Sequence, residues 1–187
     1  MHMTDFTIDM WVKHAKMTAA PFYLSVISTY GGGRAKKPTD QLAVGIGGIW
    51  KQHLAFATPK LKAKTKLGVY YRFTFSRKGN LYSMYVDGKL HLQKRGPWWR
   101  VFYKAAKWVL GQEQDKLLGG FDKNQRFIGD ICEFRMWNKG LTKINAKKFF
   151  QNINSMGKPT LFNYPASFKY TLKNGAKGPG GSFVYYN

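Results

Sequence analysis

The chain has 187 residues, 31 Lys plus Arg against nine Asp plus Glu, a formal net charge of +22 and a single cysteine. That length holds one domain with a real core, and a composition 44% hydrophobic and 17% aromatic is too apolar for a disordered chain despite the charge. A lone cysteine excludes an intrachain disulfide framework and a cysteine-rich zinc site, no run approaches the length of an apolar membrane span, and a pI of about 10.1 asks for a polyanionic partner.

Met1-His2-Met3 reads as a cloning remnant, residues 4–173 as the domain and residues 174–187 as a Gly/Pro-rich tail, the whole being expected as a domain cut from a longer protein. Alternation with period 2 predicts strands over Phe6–Val12 and Phe22–Tyr30, broken by a loop from Gly31 to Pro38. Leu42–Trp50 reads as the next strand, with three glycines that suggest bulges or a close backbone approach. Val69–Phe75 and Leu81–Val86 flank a turn at Ser76–Asn80, and Asp87-Gly88 is a hairpin signal leading into Lys89–Leu92. Trp108–Leu110 and Phe127–Trp137 complete the main strands. Leu141–Phe150 has helical spacing with Thr142 as N-cap. The tail ends in Phe183–Tyr186, another strand candidate. Many short strands without an internal repeat predict an all-β sandwich.

The nine acids are placed unevenly: five of them, Glu113, Asp115, Asp122, Asp130 and Glu133, fall between residues 113 and 133. Crowded carboxylates repel unless a cation neutralises them, and calcium takes oxygen ligands from carboxylates, amides and backbone carbonyls. The alternative is a surface loop with scattered acids and no metal. The spacing excludes an EF-hand.

Leu110-Gly111-Gln112-Glu113-Gln114-Asp115, Gly119-Gly120-Phe121-Asp122, Gln125, Phe127-Ile128-Gly129-Asp130-Ile131 and Met136-Trp137 resemble the signature region of the pentraxins. Tyr85-Val86-Asp87-Gly88-Lys89 resembles that family's W-V-D-G-K hairpin, and weaker likenesses extend the match over most of residues 6–175. The resemblance implies a two-sheet antiparallel jelly-roll sandwich with one short helix near residues 142–152, shared with laminin G-like domains and legume lectins. It also implies calcium held on one face. Carried over residue by residue, the ligands fall on Asp40, Gln41, Glu113, Gln114 (through its carbonyl), Asp115, Asp122 and Gln125. Gln41 stands where an Asn is usual and Asp122 where a Glu is usual, each changing the reach by one methylene. The first ion therefore falls to Asp40, Glu113 and Asp115, and the second loses support. The family's disulfide cysteines are replaced by Asp9 and Arg72, read either as an ion pair across the same two strands or as unrelated edge residues. Cys132 is expected as a buried free thiol. Phe183–Tyr186 is expected to pair in the slot of the family's missing opening strand.

The bases form three groups. Lys60, Lys62, Lys64 and Lys66 share one face if their segment is extended, repeating about every 6.6 Å. That is a ribbon suited to a linear polyanion, or else a solvated edge that discourages aggregation. Arg34, Lys36 and Lys37 precede Asp40, and Lys116, Lys123 and Arg126 interleave with the signature acids. A calcium ion ringed by such cations favours sulfate, phosphate, carboxylate or carbonate. Lys94, Arg95, Arg100, Lys104 and Lys107 are mixed with aromatic residues, which fits stacking on sugars or bases, or core aromatics with a basic rim.

Catalysis has no constellation here: His14, His53 and His91 lack a nucleophilic partner, and Glu113-Gln114-Asp115 lacks the third acid of a jelly-roll glycosidase array. No nucleic-acid module is found, so none is specifically indicated. The expected function is a non-enzymatic extracellular domain that binds Ca2+ and recognises an acidic polymer (glycosaminoglycan, acidic matrix protein or mineral-associated matrix) on its basic surface. The alternative is a soluble pentraxin-type lectin that binds phosphorylated or carboxylated ligands through calcium. Self-association is left open.

Overall fold

The computed structural model describes residues 5–28, 39–46, 48–51, 54–56, 59–96, 107–114, 120–159 and 162–163. The strands are β1 (Phe6–Lys16), β2 (Phe22–Ser28), β3 (Thr39–Gly45), β4 (Gly48–Lys51), β5 (Leu54–Phe56), β6 (Tyr70–Lys78), β7 (Leu81–Val86), β8 (Lys89–Arg95), β9 (Lys107–Leu110), β10 (Ile128–Trp137) and β11 (Phe162–Asn163). Two helices accompany them, α1 (Pro59–Lys64) and α2 (Lys143–Gln151), with a 3-10 turn at Ile153–Met156.

Period-2 alternation explains the layers. In β1 the residues Phe6, Ile8, Met10 and Val12 enter one apolar core with Phe73, Phe75, Met84 and Met136 of the same sheet and Leu24, Val26, Leu42 and Val44 of the other. One sheet has the order β11-β10-β1-β6-β7-β8 and the other β5-β4-β3-β2-β9, all antiparallel. This is the expected two-sheet sandwich. The first strand is central: Thr7 pairs with Ser76 on one side and Trp137 on the other.

Three expectations change in detail. The predicted strand Leu42–Trp50 is a hairpin, because the chain turns at Ile46 and Gly45 pairs with Gly48. A Cβ on Gly45 would lie 2.2 Å from the carbonyl oxygen of Pro21, so only glycine allows that approach. The turn after β6 tightens to Gly79-Asn80, with Lys78 opposite Leu81. Cys132 is a free thiol in β10, half-buried rather than buried. Asp87 and Gly88 do form a two-residue hairpin, with φ of 49° and 76° as such a turn requires. The strand expected at Phe183–Tyr186, the loop from Gly31 to Pro38 and the tail lie outside the described residues.

The expected helix is α2. Thr142 caps it: its hydroxyl accepts from the Asn145 N–H, and the Asn145 amide oxygen accepts from the Thr142 N–H. Ala146 and Phe149 pack on Trp137, Tyr85 and Leu141 in a second apolar cluster, on the outer face of the six-stranded sheet. Under this cover sits the Asp9–Arg72 pair. Arg72 Nε donates to Asp9 Oδ1 at 3.0 Å, Thr74 Oγ1 donates to the same oxygen, and Asp9 is 0% exposed. The guanidinium lies 5.0 Å from the centroid of Phe149 and 5.3 Å from that of Phe150. Asp9 and Arg72 thus join β1 to β6 as an ion pair.

Candidate calcium and anion site

The signature segment leaves β9 with a reversal. Gly111 has φ 80°, its N–H donates to the Tyr23 carbonyl, and its own carbonyl accepts from the Phe127 N–H at 2.7 Å. This clamps the acidic segment between the edge of β2 and the chain entering β10. Gln112, Glu113 and Gln114 follow and are all buried. Gln114, 0% exposed, donates from Nε2 to Ser25 Oγ at 3.0 Å. Ser25 alternates with the core residues Leu24 and Val26, so Gln114 lies on the outer face of the five-stranded sheet.

A second turn closes over this one. Asp122 accepts through Oδ1 from the Asn124 N–H and through its carbonyl from the Gln125 N–H. Gln112 Nε2 also donates to the Asp122 carbonyl at 2.8 Å, tying the two signature pieces together. The carbonyls of Asn124 and Gln125 accept from Ala20 and Phe22, which fixes the turn on the start of β2. Gln125 Oε1 is buried and has no hydrogen-bond partner among the described residues. A buried amide oxygen left unbonded costs about 1–3 kcal/mol, so it is an acceptor held ready for a donor or a cation. Next to it in sequence, Arg126 carries a buried Nε without a hydrogen-bond partner among the described residues.

The early pair reaches the same neighbourhood along β2. Asp40 is the backbone partner of Ile27, two residues from Ser25, about 7 Å of strand. Val26 pairs with Leu42 and Ile27 with Asp40, leaving Gln41 as the extra residue of a β-bulge. Bulges re-aim a side chain beside a site. Lys107 pairs with Ile27 from the opposite side, so the acidic and basic candidates flank one β2 residue. Asp115 and the side chains of Asp40, Gln41 and Lys107 lie outside the described residues. Among the described residues no three His, Cys, Asp or Glu side chains come together; the oxygen donors that the two joined turns carry are Glu113, Asp122 and the amide of Gln125. Carboxylate and amide oxygens are the hard donors that calcium takes, so the residues present fit the ion.

The lysine ribbon is corrected. Pro59–Lys64 is helical, not extended. Proline suits the first position of a helix and Lys, Leu and Ala favour its interior. Leu61 anchors it at 7% exposure. The Lys62 ammonium donates to the Ala19 carbonyl, while Lys64 and Lys66 are exposed. The side chain of Lys60 lies outside the described residues, as do Arg34, Lys36, Lys37, Arg100, Lys104 and Lys116. Lys123 is exposed on the Asp122–Gln125 turn, and Lys94 and Arg95 are exposed on β8.

The model of the Pentaxin family matches residues 62–176, more than half of the chain. The chain belongs to the pentraxin family. Over 67 residues this pentraxin is 43% identical to serum amyloid P-component of Bos taurus, covering 36% of this chain and 29% of that protein. Over 95 residues it is 30% identical to C-reactive protein of Cavia porcellus, covering 51% of this chain and 40% of that protein. The matches therefore span less than half the length of these relatives. The native heptameric SAP-like pentraxin of Limulus polyphemus shares the fold, with a TM-score of 0.60 at 15% identity over 99% of this chain and 81% of that one.

Sequence reading missed two supporting residues of the pentraxin corner, Ser25 and Gln112. Neither is charged, and their roles depend on contacts between segments 89 and 10 residues apart. No helix among the described residues is long and apolar enough to cross a membrane.

Proposed function

We propose that this pentraxin domain is a non-enzymatic, extracellular, calcium-dependent binding module for acidic ligands. The buried Gln125 Oε1, without a hydrogen-bond partner among the described residues, on the turn whose Asp122 carbonyl accepts from Gln112, carries this reading. In this reading Glu113, Asp122 and Gln125 hold the ion with Asp40, Gln41, Asp115 and the Gln114 carbonyl. Bound calcium supplies open coordination positions for a phosphate, sulfate or carboxylate oxygen. Arg126, Lys123 and Lys107 then supply positive charge for the rest of the anion. Calcium at a hundredfold excess over its Kd stabilises by about 2.7 kcal/mol, so it should raise Tm by about 5–10 °C. Glu113→Gln should remove most of that rise. A Tm that calcium leaves unchanged would defeat the proposal.

A second reading rests on the charge of +22: an acidic polymer held by the basic surface without metal. Binding that survives chelator but falls steeply with salt favours this reading. Binding lost strictly with chelator favours the first.

A further inference from the structure

A groove of about 620 Å³ runs between the β7–β8 hairpin and α2. It lies on the outer face of the six-stranded sheet, on the opposite side of the sandwich from Gln114 and Ser25. That volume is of the size that takes a small ligand. Lys143 and Lys147 line it one helical turn apart, as i and i+4 neighbours on α2, and Lys89 lines it from the hairpin. All three are exposed. Asp87 is the one acid in the lining, and its Oδ1 already accepts the backbone N–H of Arg72. Three like charges around one groove repel one another unless an anion lies among them.

The apolar elements of the groove are Leu90, exposed on β8, and a braced ring. Phe150 is half-buried, 5.1 Å from the Tyr85 centroid and 5.3 Å from the Arg72 guanidinium. Gly88 lies against it so closely that a Cβ there would be 3.3 Å from Phe150 Cγ. A ring held from several sides loses little entropy when a ligand stacks on it. Tyr85 and Ala146 are already buried, so the groove offers one open ring rather than a series of holes for peptide side chains. The amides of Gln93 and Gln151 add donors and acceptors for hydroxyls.

We propose that this groove binds an acidic saccharide, a sulfated or uronic-acid unit of a polysaccharide, stacked on Phe150 and held by Lys89, Lys143 and Lys147 without calcium. The proposal takes its ligand class from the acidic-ligand reading above and adds a place for it. The test is calorimetry of the full chain with a heparin-derived hexasaccharide in excess EDTA. Replacing Lys89, Lys143 and Lys147 together by Ala should weaken binding about tenfold. Replacing Lys16, Lys148 and Lys158, three exposed lysines outside the groove, should cost about twofold. All six changes are on exposed side chains, and equal circular dichroism spectra verify the fold. Equal losses in the two variants would overturn the groove and leave a diffuse charge effect. Competition by polyglutamate as strong as by the saccharide would overturn it in favour of an acidic peptide. No binding of the hexasaccharide with or without calcium would overturn the acidic-polysaccharide class itself.

Discussion

His14 is the most consequential single residue outside the proposed sites. It is fully buried, its Nε2 lies 2.9 Å from the Tyr23 hydroxyl, and Phe127 meets its ring edge-on at 4.8 Å. Burial pushes its pKa down from 6.5 to about 4. The unfolded chain therefore takes up this proton first as the pH falls. The contribution is whole above pH 6.5 and is lost between there and about pH 4, roughly 3 kcal/mol in all. Asp9 has the opposite sign: burial raises its carboxyl against the pull of Arg72, so in acid the folded state takes up that proton first. His14→Gln keeps a donor and acceptor for Tyr23 but does not titrate. Denaturant melts from pH 7 to pH 4 should show wild type losing about 3 kcal/mol more than the variant. Parallel pH profiles would refute the assignment.

Between elements, the telling contact is the one joining β1, β6 and α2. Asp9 on β1 accepts from Arg72 on β6, and the same guanidinium lies against Phe149 and Phe150 of α2. Removing one partner strands a buried charge, so Arg72→Ala should cost about 3–5 kcal/mol, while the double change Asp9→Leu and Arg72→Met should cost clearly less. Chemical denaturation of the double variant and both singles decides this; a double cost equal to the sum of the two single costs would show that the two charges act separately. The pair was legible because the resemblance sets two residues of opposite sign against the family's cysteines. The helix α1 was not. Alternating lysines fit an extended strand as a pattern, and only the burial of Leu61 and the preceding proline select a helix over a ribbon. α2 was legible down to its cap, because Thr142 opens a local pattern that needs no long-range contact. The groove beside it was not foreseen, although Lys143 and Lys147 stand at helical i and i+4 spacing. Its opposite wall comes from a hairpin more than fifty residues earlier.

For the molecule as a whole, the sandwich was readable from short alternating strands. Acid clustering suggested a cation, but the proposed calcium donors were named only through their likeness to a signature, because the segments that carry Glu113 and Gln125 are joined by a backbone bond from Phe127 to Gly111. Net charge sets how the stability of the whole responds to salt. With 31 basic and nine acidic residues, self-repulsion outweighs exposed ion pairs such as Lys78–Asp5, each worth at most about 1 kcal/mol. Raising NaCl from 0.02 M to 0.5 M shortens the screening length several-fold, so scanning calorimetry should record a Tm several degrees higher. A fall in Tm would mean that attractive pairs carry more than the net charge implies. The position of β1 has a consequence in time. It sits between β6 and β10, and Thr7 pairs with Trp137, 130 residues further on. At the pace of a ribosome that interval is on the order of 10 s. During it the strand Phe6–Lys16, apolar along its core face, finds neither neighbour until β6 is made at Lys78, and only that one until β10 follows. The nascent chain thus has an extended window in which a holdase has something to hold, and the six-stranded sheet closes only after β10 has emerged.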